Sequence, residues 1–353
     1  MSDPTGLAWL TTPRLVLRRP TPDDRDDYAR IHGDPRTYSH APESMPSPEH
    51  CLVRLAENVG GWETEGIGYA AVLDRVSGAV IGWAGLRPQE AEGRRLFNLY
   101  YRLEHERLGE GLGREIARAC VAWAAENRPD LPVTAFVDDG NAASFATARA
   151  AGLTVVGQRT EPGAPRSMAL LEAPHVEVPD RDGLDGAVAD EIVDLWVAVN
   201  DAGGSVGFLP GASRVMVRAA LDRHLAQVAD SRSVPCLLRE ADGTLRGLGF
   251  WQHDLGFPLA HVADLQRLMV DPAGQGRNLG RILLAGMVGI VRRELPAAEL
   301  LRLSYRDGLG LGGFYSREGW AEVGRVPRGL WLGGDDYRDD VAMARRVDGA
   351  PLR

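Results

Sequence analysis

The sequence predicts a two-domain α/β chain made from one strand-and-helix unit used twice, and three observations carry that expectation. The chain has 353 residues, 44% of them hydrophobic, which is long for one core and comfortable for two. The segment Leu108-Gly-Glu-Gly-Leu-Gly-Arg114 has a partner 167 residues on, Gln275-Gly-Arg-Asn-Leu-Gly-Arg281. A second landmark keeps the same offset. Ala151-Gly-Leu153 and Glu318-Gly-Trp320 each follow their loop by the same separation of 39 residues. Two Gly-rich loops alike by chance would not preserve a second landmark, so the pattern reads as duplication of one supersecondary unit.

The elements follow in order. Arg14-Leu-Val-Leu-Arg18 is a candidate strand, and helical stretches fall near 22–33 and 47–60. A hairpin runs from Gly68 to Leu73, turns at Asp74 to Gly78, and returns from Ala79 to Leu86. Phe97 to Leu103 is a further strand that leads into the first Gly-rich loop. The helix after it carries Leu112, Ile116, Cys120, Trp123 and Ala124 on one face at helical spacing. A strand at Val133 to Val137 and a helix from about Asn141 complete the half. The second half repeats the order: helices near 187–199 and 213–228, then a hairpin of Val234 to Arg239 and Leu245 to Gln252 around Ala241-Asp-Gly243. A strand from His261 to Val270 leads into the second loop. The next helix carries Leu279, Ile282, Leu283, Met287, Ile290 and Val291, and a strand follows at Leu300 to Ser304. Pro174 punctuates the joint, so the domains are expected at 1–173 and 174–353.

Composition narrows the function. The net charge is −9 and every basic residue is arginine, so neither a Schiff-base lysine nor a phosphate-binding P-loop lysine is available. The acidic balance argues against non-specific nucleic-acid binding. Cys51, Cys120 and Cys236 are too few and too far apart for a disulfide framework or a zinc site, and the eight histidines show no ligand spacing, so no metal is expected. The chain lacks an apolar run of membrane length, and its first twenty residues do not read as a signal peptide. A cytoplasmic protein without a membrane partner is the expectation.

The loops suggest a bound anion. In each half a strand ends, a Gly-rich turn follows and a helix begins. The first helical turn offers N–H groups and the positive end of the dipole, and glycine lets the backbone approach a phosphate closely. The dinucleotide fingerprint G-x-G-x-x-G does not fit, because Arg114 and Leu279 stand where its third glycine belongs.

Both loops resemble the coenzyme A pyrophosphate loop of the GNAT acetyltransferase superfamily, usually written Q/R-x-x-G-x-G/A. The first half resembles the ribosomal-protein N-acetyltransferase (RimJ-like) branch, through Thr12-Pro-Arg-Leu-Val-Leu-Arg18, the run from Tyr101 to Glu115, and Asn141-Ala-Ala-Ser144. It departs from that pattern at Leu108, where Trp is usual, and at Asn98, where Glu is frequent. The second half is similar to the tabtoxin-resistance type of acetyltransferase, through Gly204-Ser-Val-Gly-Phe-Leu209, Ala263 to Val270, Phe314 to Trp320 and Val323 to Pro327. Asn278 there takes the first glycine position of the loop. Asn adopts left-handed geometry more readily than most residues.

The resemblance implies that each half is a mixed, mostly antiparallel twisted sheet flanked by helices. It implies acetyl-CoA or another acyl-CoA as co-substrate and direct transfer to an amine. The expected cradle is Gly109, Gly111, Leu112 and Gly113 in the first half, and Gly276, Asn278, Leu279 and Gly280 in the second. Arg114 and Arg281 are candidates for phosphate contact or for a solvated helix face, and Asn141 and Ser144 for contact with the coenzyme arm. Tyr315 holds the position of the family's general acid; its duplicate is Ala148. Asp264 is the candidate base, directly or through water, or else one half of an ion pair with an arginine. Gln252 and His261 are weaker candidates for the acceptor side. Three functions stay open: N-acylation of a small amine in the second half, possession of the chemistry by the first half with a peptide or protein N-terminus as acceptor, and acyl-CoA binding without catalysis. Monomer and homodimer are both compatible with the sequence.

Overall fold

The computed structural model describes residues 7–39, 41–91, 93–160, 167–184 and 186–352. The start of the segment read for a signal peptide, residues 1–6, lies outside them. The chain divides into two compact units. Unit 1 comprises Met1–Ala124 and Arg128–Pro174; unit 2 comprises Ala125–Asn127 and His175–Arg353. Among the described residues no helix is long and apolar enough to cross a membrane.

Unit 1 opens with β1 (Ala8–Thr11) and β2 (Leu15–Arg18), then α1 (Arg25–His32) and α2 (Pro48–Glu65). Ser47 caps α2 by accepting from His50 N–H, Pro48 pre-sets its first turn, and Gly66 ends it in the left-handed region. β3 (Tyr69–Asp74), β4 (Val80–Ala91) and β5 (Arg94–Leu103) follow as a meander. Then come α3 (Leu112–Asn127), β6 (Val133–Asp138), α4 (Ala142–Ala150), β7 (Thr154–Thr160) and β8 (Ser167–Glu172). The sheet order is β1-β2-β3-β4-β5-β6-β8-β7, antiparallel except where β5 meets β6. Tyr28, Ile31, Cys51 and Leu55 of α1 and α2 bury against Ala71, Val80 and Trp83. Tyr100 faces that layer and bonds His32, while Tyr101 bonds Ser144 O on α4. Adjacent strand residues point to opposite faces, so α4 lies on the other side of the sheet.

Unit 2 has the same plan. A short β9 (His175–Glu177) precedes α5 (Ala187–Asp201), α6 (Arg214–Ala229), β10 (Ser233–Arg239), β11 (Leu245–His253) and β12 (Val262–Val270). α7 (Leu279–Glu294), β13 (Leu300–Arg306), α8 (Leu311–Arg317), β14 (Ala321–Gly333) and β15 (Asp336–Arg346) complete it, with sheet order β14-β15-β13-β12-β11-β10-β9. Among the described residues of this sheet only β12 and β13 pair in parallel. α5 and α6 bury Trp196, Val217 and Leu221 against Leu248, Phe250 and Met269. α7 covers the opposite face, where a side chain on Gly249 would strike Met287. Both bounds of α3 and α7 differ by the offset of the repeat.

The expected strands and helices are present, and the differences have physical causes. The β4–β5 hairpin is longer than its apolar pattern. Its added tip (Arg87, Gln89, Glu90, Arg94, Arg95) is polar and carries no alternation to read. β14 is a strand throughout yet almost wholly exposed, so nothing in its sequence marked an inner face. The three cysteines are buried and none is disulfide-bonded.

Candidate functional site

Each unit carries one parallel strand pair that is joined only at its start. β5 pairs β6 through Phe97–Val133 and Asn98–Thr134 alone; β12 pairs β13 through Val262, Ala263 and Asp264 with Leu300, Leu301 and Arg302. Beyond those pairs the strands are not bonded to each other, and the opening lies toward their C-terminal ends. The Gly-rich loops stand at that end of β5 and β12.

The loops share one backbone. Gly109 and Gly111 have φ of 85° and 76°; Gly276 and Asn278 have φ of 80° and 69°. Gly111 is the N-cap of α3 and Asn278 the N-cap of α7. This left-handed, skip-one, left-handed turn curls the chain so that the N–H groups of Leu112 and Gly113, and of Leu279 and Gly280, open the first helical turn. A helix cannot satisfy those groups itself. A Cβ built on Gly109 or Gly276 meets nothing within 4 Å, so the space beside each of these glycines is open. Gly113 and Gly280 back onto an aromatic ring, Tyr101 in unit 1 and Phe314 in unit 2. The residues present therefore fit a pyrophosphate.

Arginines brace both turns. In unit 1 the Arg14 guanidinium donates to Glu115 and to Glu110 O, and Arg107 ties Asp74 to Glu110 at 3.1 and 2.8 Å. In unit 2 Arg277 reaches the buried Glu240 at 3.2 Å, and Arg246 joins Glu240 to Asp271. Arg281 is engaged with Glu318 at 2.9 Å, whereas Arg114 is exposed and makes no ion pair among the described residues. Asn141 caps α4, its side-chain oxygen accepting from Ser144 N–H at 3.0 Å, and Ser144 O accepts from the Tyr101 hydroxyl. Both residues thus stand at the start of α4, beside the ring that backs Gly113.

Tyr315 lies in α8, 7% exposed, with ring centroids 5.0 Å from Phe314, 5.8 Å from Tyr305 and 6.1 Å from Trp320. Burial pushes its hydroxyl above the ordinary tyrosine value, so the phenol keeps its proton at neutral pH. Its neighbour Phe314 is the ring against Gly280, which places Tyr315 one residue from the loop's backing. At the duplicate position, Ala148 is fully buried.

Asp264 stands on β12 opposite Gln252 and beside Arg302. Both its oxygens accept from Arg302, at 2.9 and 2.8 Å, which leaves each a further lone pair. The ion-pair expectation and the lining of a cleft coincide here. An open cleft of about 150 Å³ is bordered by Gln227, Arg232, Gln252, His253, Leu259 and Asp264. Gln252 donates to Gln227, and burial pushes His253 below its ordinary value. His261 is exposed; its backbone carbonyl, not its ring, accepts from Glu299 and Leu300.

Sequence reading passed over Arg267, Arg302 and Arg306. For Arg267 and Arg302 the signal was present, an arginine inside an expected strand, in Leu-Gln-Arg-Leu-Met and Leu-Arg-Leu; Arg306 lies beyond the strand expected at Leu300 to Ser304. It also passed over a chain in unit 1. His32 lends its Nδ1 proton to Tyr28 O, so Nε2 accepts from the Tyr100 hydroxyl at 3.2 Å, and the Tyr100 oxygen accepts from Arg102 Nε–H at 3.0 Å. Among the described residues no cluster of His, Cys, Asp and Glu has the makings of a metal site.

Residues 14–154 match the family model of the acetyltransferase (GNAT) domain. The Bacillus subtilis (strain 168) protein YkkB, described as uncharacterized, is 28% identical over 149 residues, 41% of this chain and 84% of its own. A Bordetella pertussis protein assigned to the GnaT-family acetyltransferases aligns in structure at 23% identity and a TM-score of 0.40, covering 46% of this chain and 98% of its own. The spermidine N-acetyltransferase of Vibrio cholerae, solved with CoA and spermine, aligns at 15% identity and a TM-score of 0.40, covering 50% and 96%.

Proposed function

We propose, from the premise that residues 14–154 are a GNAT acetyltransferase domain and the protein an acyltransferase, that residues 174–353 are a diverged copy of that domain and hold the chemistry. The reaction is transfer of an acyl group, acetyl in the first instance, from acyl-CoA to the amine of a small molecule. One observation carries the reading: the same left-handed loop, at the same offset, closes the end of an opened parallel strand pair in both units. The loop N–H groups of Gly109, Gly111, Leu112 and Gly113, and of Gly276, Asn278, Leu279 and Gly280, hold the pyrophosphate. Arg114 adds charge to the first site; Arg281 acts through its hold on Glu318. Asn141 and Ser144 border the coenzyme arm in unit 1.

Acyl-CoA supplies an activated thioester. Of the chain's own groups, Tyr315 holds a proton that suits a departing thiolate, since its buried phenol is neutral. Asp264 orients the amine and takes its proton through water on the lone pairs that Arg302 leaves open. Positioning of the two reactants in the cleft supplies the rest of the rate. An antibiotic or another secondary metabolite is a fitting class of acceptor.

A second reading places catalysis in unit 1 with a peptide N-terminus as acceptor. The family match to residues 14–154 and the Arg102–Tyr100–His32 chain favour it. Native mass spectrometry with acetyl-CoA, followed by an amine and peptide panel on wild type and Tyr315→Phe, separates the readings. Two coenzymes per chain and loss of turnover in the variant support unit 2. Undiminished peptide acetylation in the variant supports unit 1. No bound coenzyme at any concentration sinks both.

A further inference from the structure

Among the described residues, one cation in unit 2 has no counter-charge beside it. Arg267 sits at a bulge in β12: Leu248 pairs Met269 and Phe250 pairs Gln266, so Arg267 and Leu268 together oppose Gly249. Its φ is 57°, a left-handed state that a non-glycine residue adopts at a cost. The bulge turns the guanidinium onto the α5 side of the sheet, 5.6 Å from the Trp196 ring and hard against Gly207, where a Cβ would come within 2.4 Å of Nη1. Among the described residues its buried Nε finds no hydrogen-bond partner. Among the described residues no carboxylate lies within ion-pair distance. Burial and the neighbouring Arg223 hold its proton less tightly than usual.

Arg306 ends β13 across the opening. Its Nη2 donates to Gly203 O at 3.1 Å, and among the described residues it too has no carboxylate partner. Both arginines therefore bear on one short segment, Gly203 to Gly207, from the two strands that part beyond Asp264 and Arg302. The one acid on that face of these strands, Asp264, is already engaged by Arg302. A half-buried guanidinium held by a strained backbone, with a second beside the same loop, is a fork built for an anion.

We infer that Arg267 and Arg306 bind a carboxylate on the amine acceptor, so that unit 2 acylates an amino acid or an amino-acid-like metabolite. This rests on the reading of unit 2 as the acylating domain. A coenzyme phosphate would present the same chemistry, and the experiment separates the two. Matched pairs of α-, β- and γ-amino acids and their carboxamides are offered to wild type, Arg267→Gln, Arg267→Lys and Arg306→Gln. Thiol release with acetyl-CoA gives kcat/KM, and thermal shift without acetyl-CoA gives binding. The expected result is at least a tenfold preference for one or more acids over their amides, with a ratio that collapses toward one in Arg267→Gln, persists in part in Arg267→Lys, and falls in Arg306→Gln. Acetyl-CoA stoichiometry by native mass spectrometry stays at the wild-type value. Equal use of acids and amides overturns the inference while leaving acyl transfer intact. Loss of acetyl-CoA binding in Arg267→Gln also overturns it and assigns the fork to the coenzyme. Where no amine turns over, a thermal shift produced by an acid in wild type and absent in Arg267→Gln still supports it, and no shift with any acid overturns it.

Discussion

The two loops share a backbone and differ in what stands behind them. In unit 1 the first turn of α3 is backed by Tyr101, whose hydroxyl is spent on Ser144 O, and the next helix offers Ala148. In unit 2 the first turn of α7 is backed by Phe314, and the next residue is the buried, protonated Tyr315. Even the braces differ in detail and agree in effect: Arg107 reaches Asp74 and Arg277 reaches Glu240, each tying the loop to the acid at the end of the strand that begins the meander. An anion cradle made of N–H groups needs only a backbone path, which many sequences satisfy. Proton transfer needs one side chain at one place, and a single change removes it. Duplication followed by divergence would then preserve binding in both halves and chemistry in one.

The largest expected effect tests that asymmetry directly. Tyr315→Phe removes the hydroxyl and keeps the ring packed between Tyr305 and Trp320. Turnover should fall about 10²- to 10⁴-fold with acetyl-CoA stoichiometry unchanged. A variant as active as wild type, measured by thiol release, would erase the assigned difference between the units.

A second contrast concerns acid. Each unit buries a histidine in stacked aromatic packing: His32 on Tyr28 and His224 on Phe250. Burial pushes His32 down to about 3 and His224 down to about 4, both below the ordinary 6.5. For His224 the neighbouring Arg223 and Arg267 act in the same direction; for His32 the neighbours are Arg54 and Arg102. The neutral ring is the folded form, so this stability is full above about pH 6.5 and is lost as pH falls, with a slope of about 1.4 kcal/mol per pH unit per histidine. The loss runs on to about pH 4 for His224 and about pH 3 for His32. His32 has both ring nitrogens bonded, whereas among the described residues Nδ1 of His224 has no partner. His224→Phe should therefore flatten the acid slope by one histidine without the penalty of an orphaned neighbour. Urea unfolding from pH 7 to 4.5 measures it, and an unchanged slope would mean that His224 is hydrated in solution.

The cradles themselves give the next effect. Gly109→Val and Gly276→Val force a branched side chain into a left-handed state at the open mouth of each loop. Each should weaken acetyl-CoA binding at its own site at least tenfold, seen as one coenzyme per chain by native mass spectrometry at a concentration that fills two in wild type. Two retained in either variant would show that its loop is not the binding element.

How much of this was readable depends on whether a feature is local. The loops were legible because glycine spacing and helix starts are local facts; the same 167-residue offset recurs in both bounds of α3 and α7. Tyr315 was singled out through its motif, and the structure buries it beside Phe314. That Asp264 could pair with an arginine was legible; that the partner is Arg302 was not, because the pair joins residues 38 apart across a parallel register that no short pattern encodes. Arg267 escaped for a sharper reason. Its orientation depends on a bulge opposite Gly249, and a one-residue slip in register reverses which face a side chain takes. β14 was hidden because an exposed hairpin has no inner face to write into its sequence.

The smallest expected effect returns to the N-cap, one of three positions at which the loops themselves differ. Gly111 and Asn278 occupy the same N-cap with nearly the same angles, φ 76° and ψ 11° against φ 69° and ψ 1°. If that conformation is the requirement, and not glycine as such, Gly111→Asn should be tolerated, since a Cβ there meets only Arg14 Nη2 at an ordinary 3.9 Å. Gly111→Ala should cost more, about 1–2 kcal/mol, because alanine lacks the short polar side chain that eases the left-handed state. Denaturant unfolding of the two variants ranks them, and acetyl-CoA titration of each reports the cradle. Asn ranking with Gly and above Ala would make the second loop an alternative solution of the same backbone problem. Asn ranking with Ala would mean that the second loop keeps its shape through contacts that unit 1 lacks.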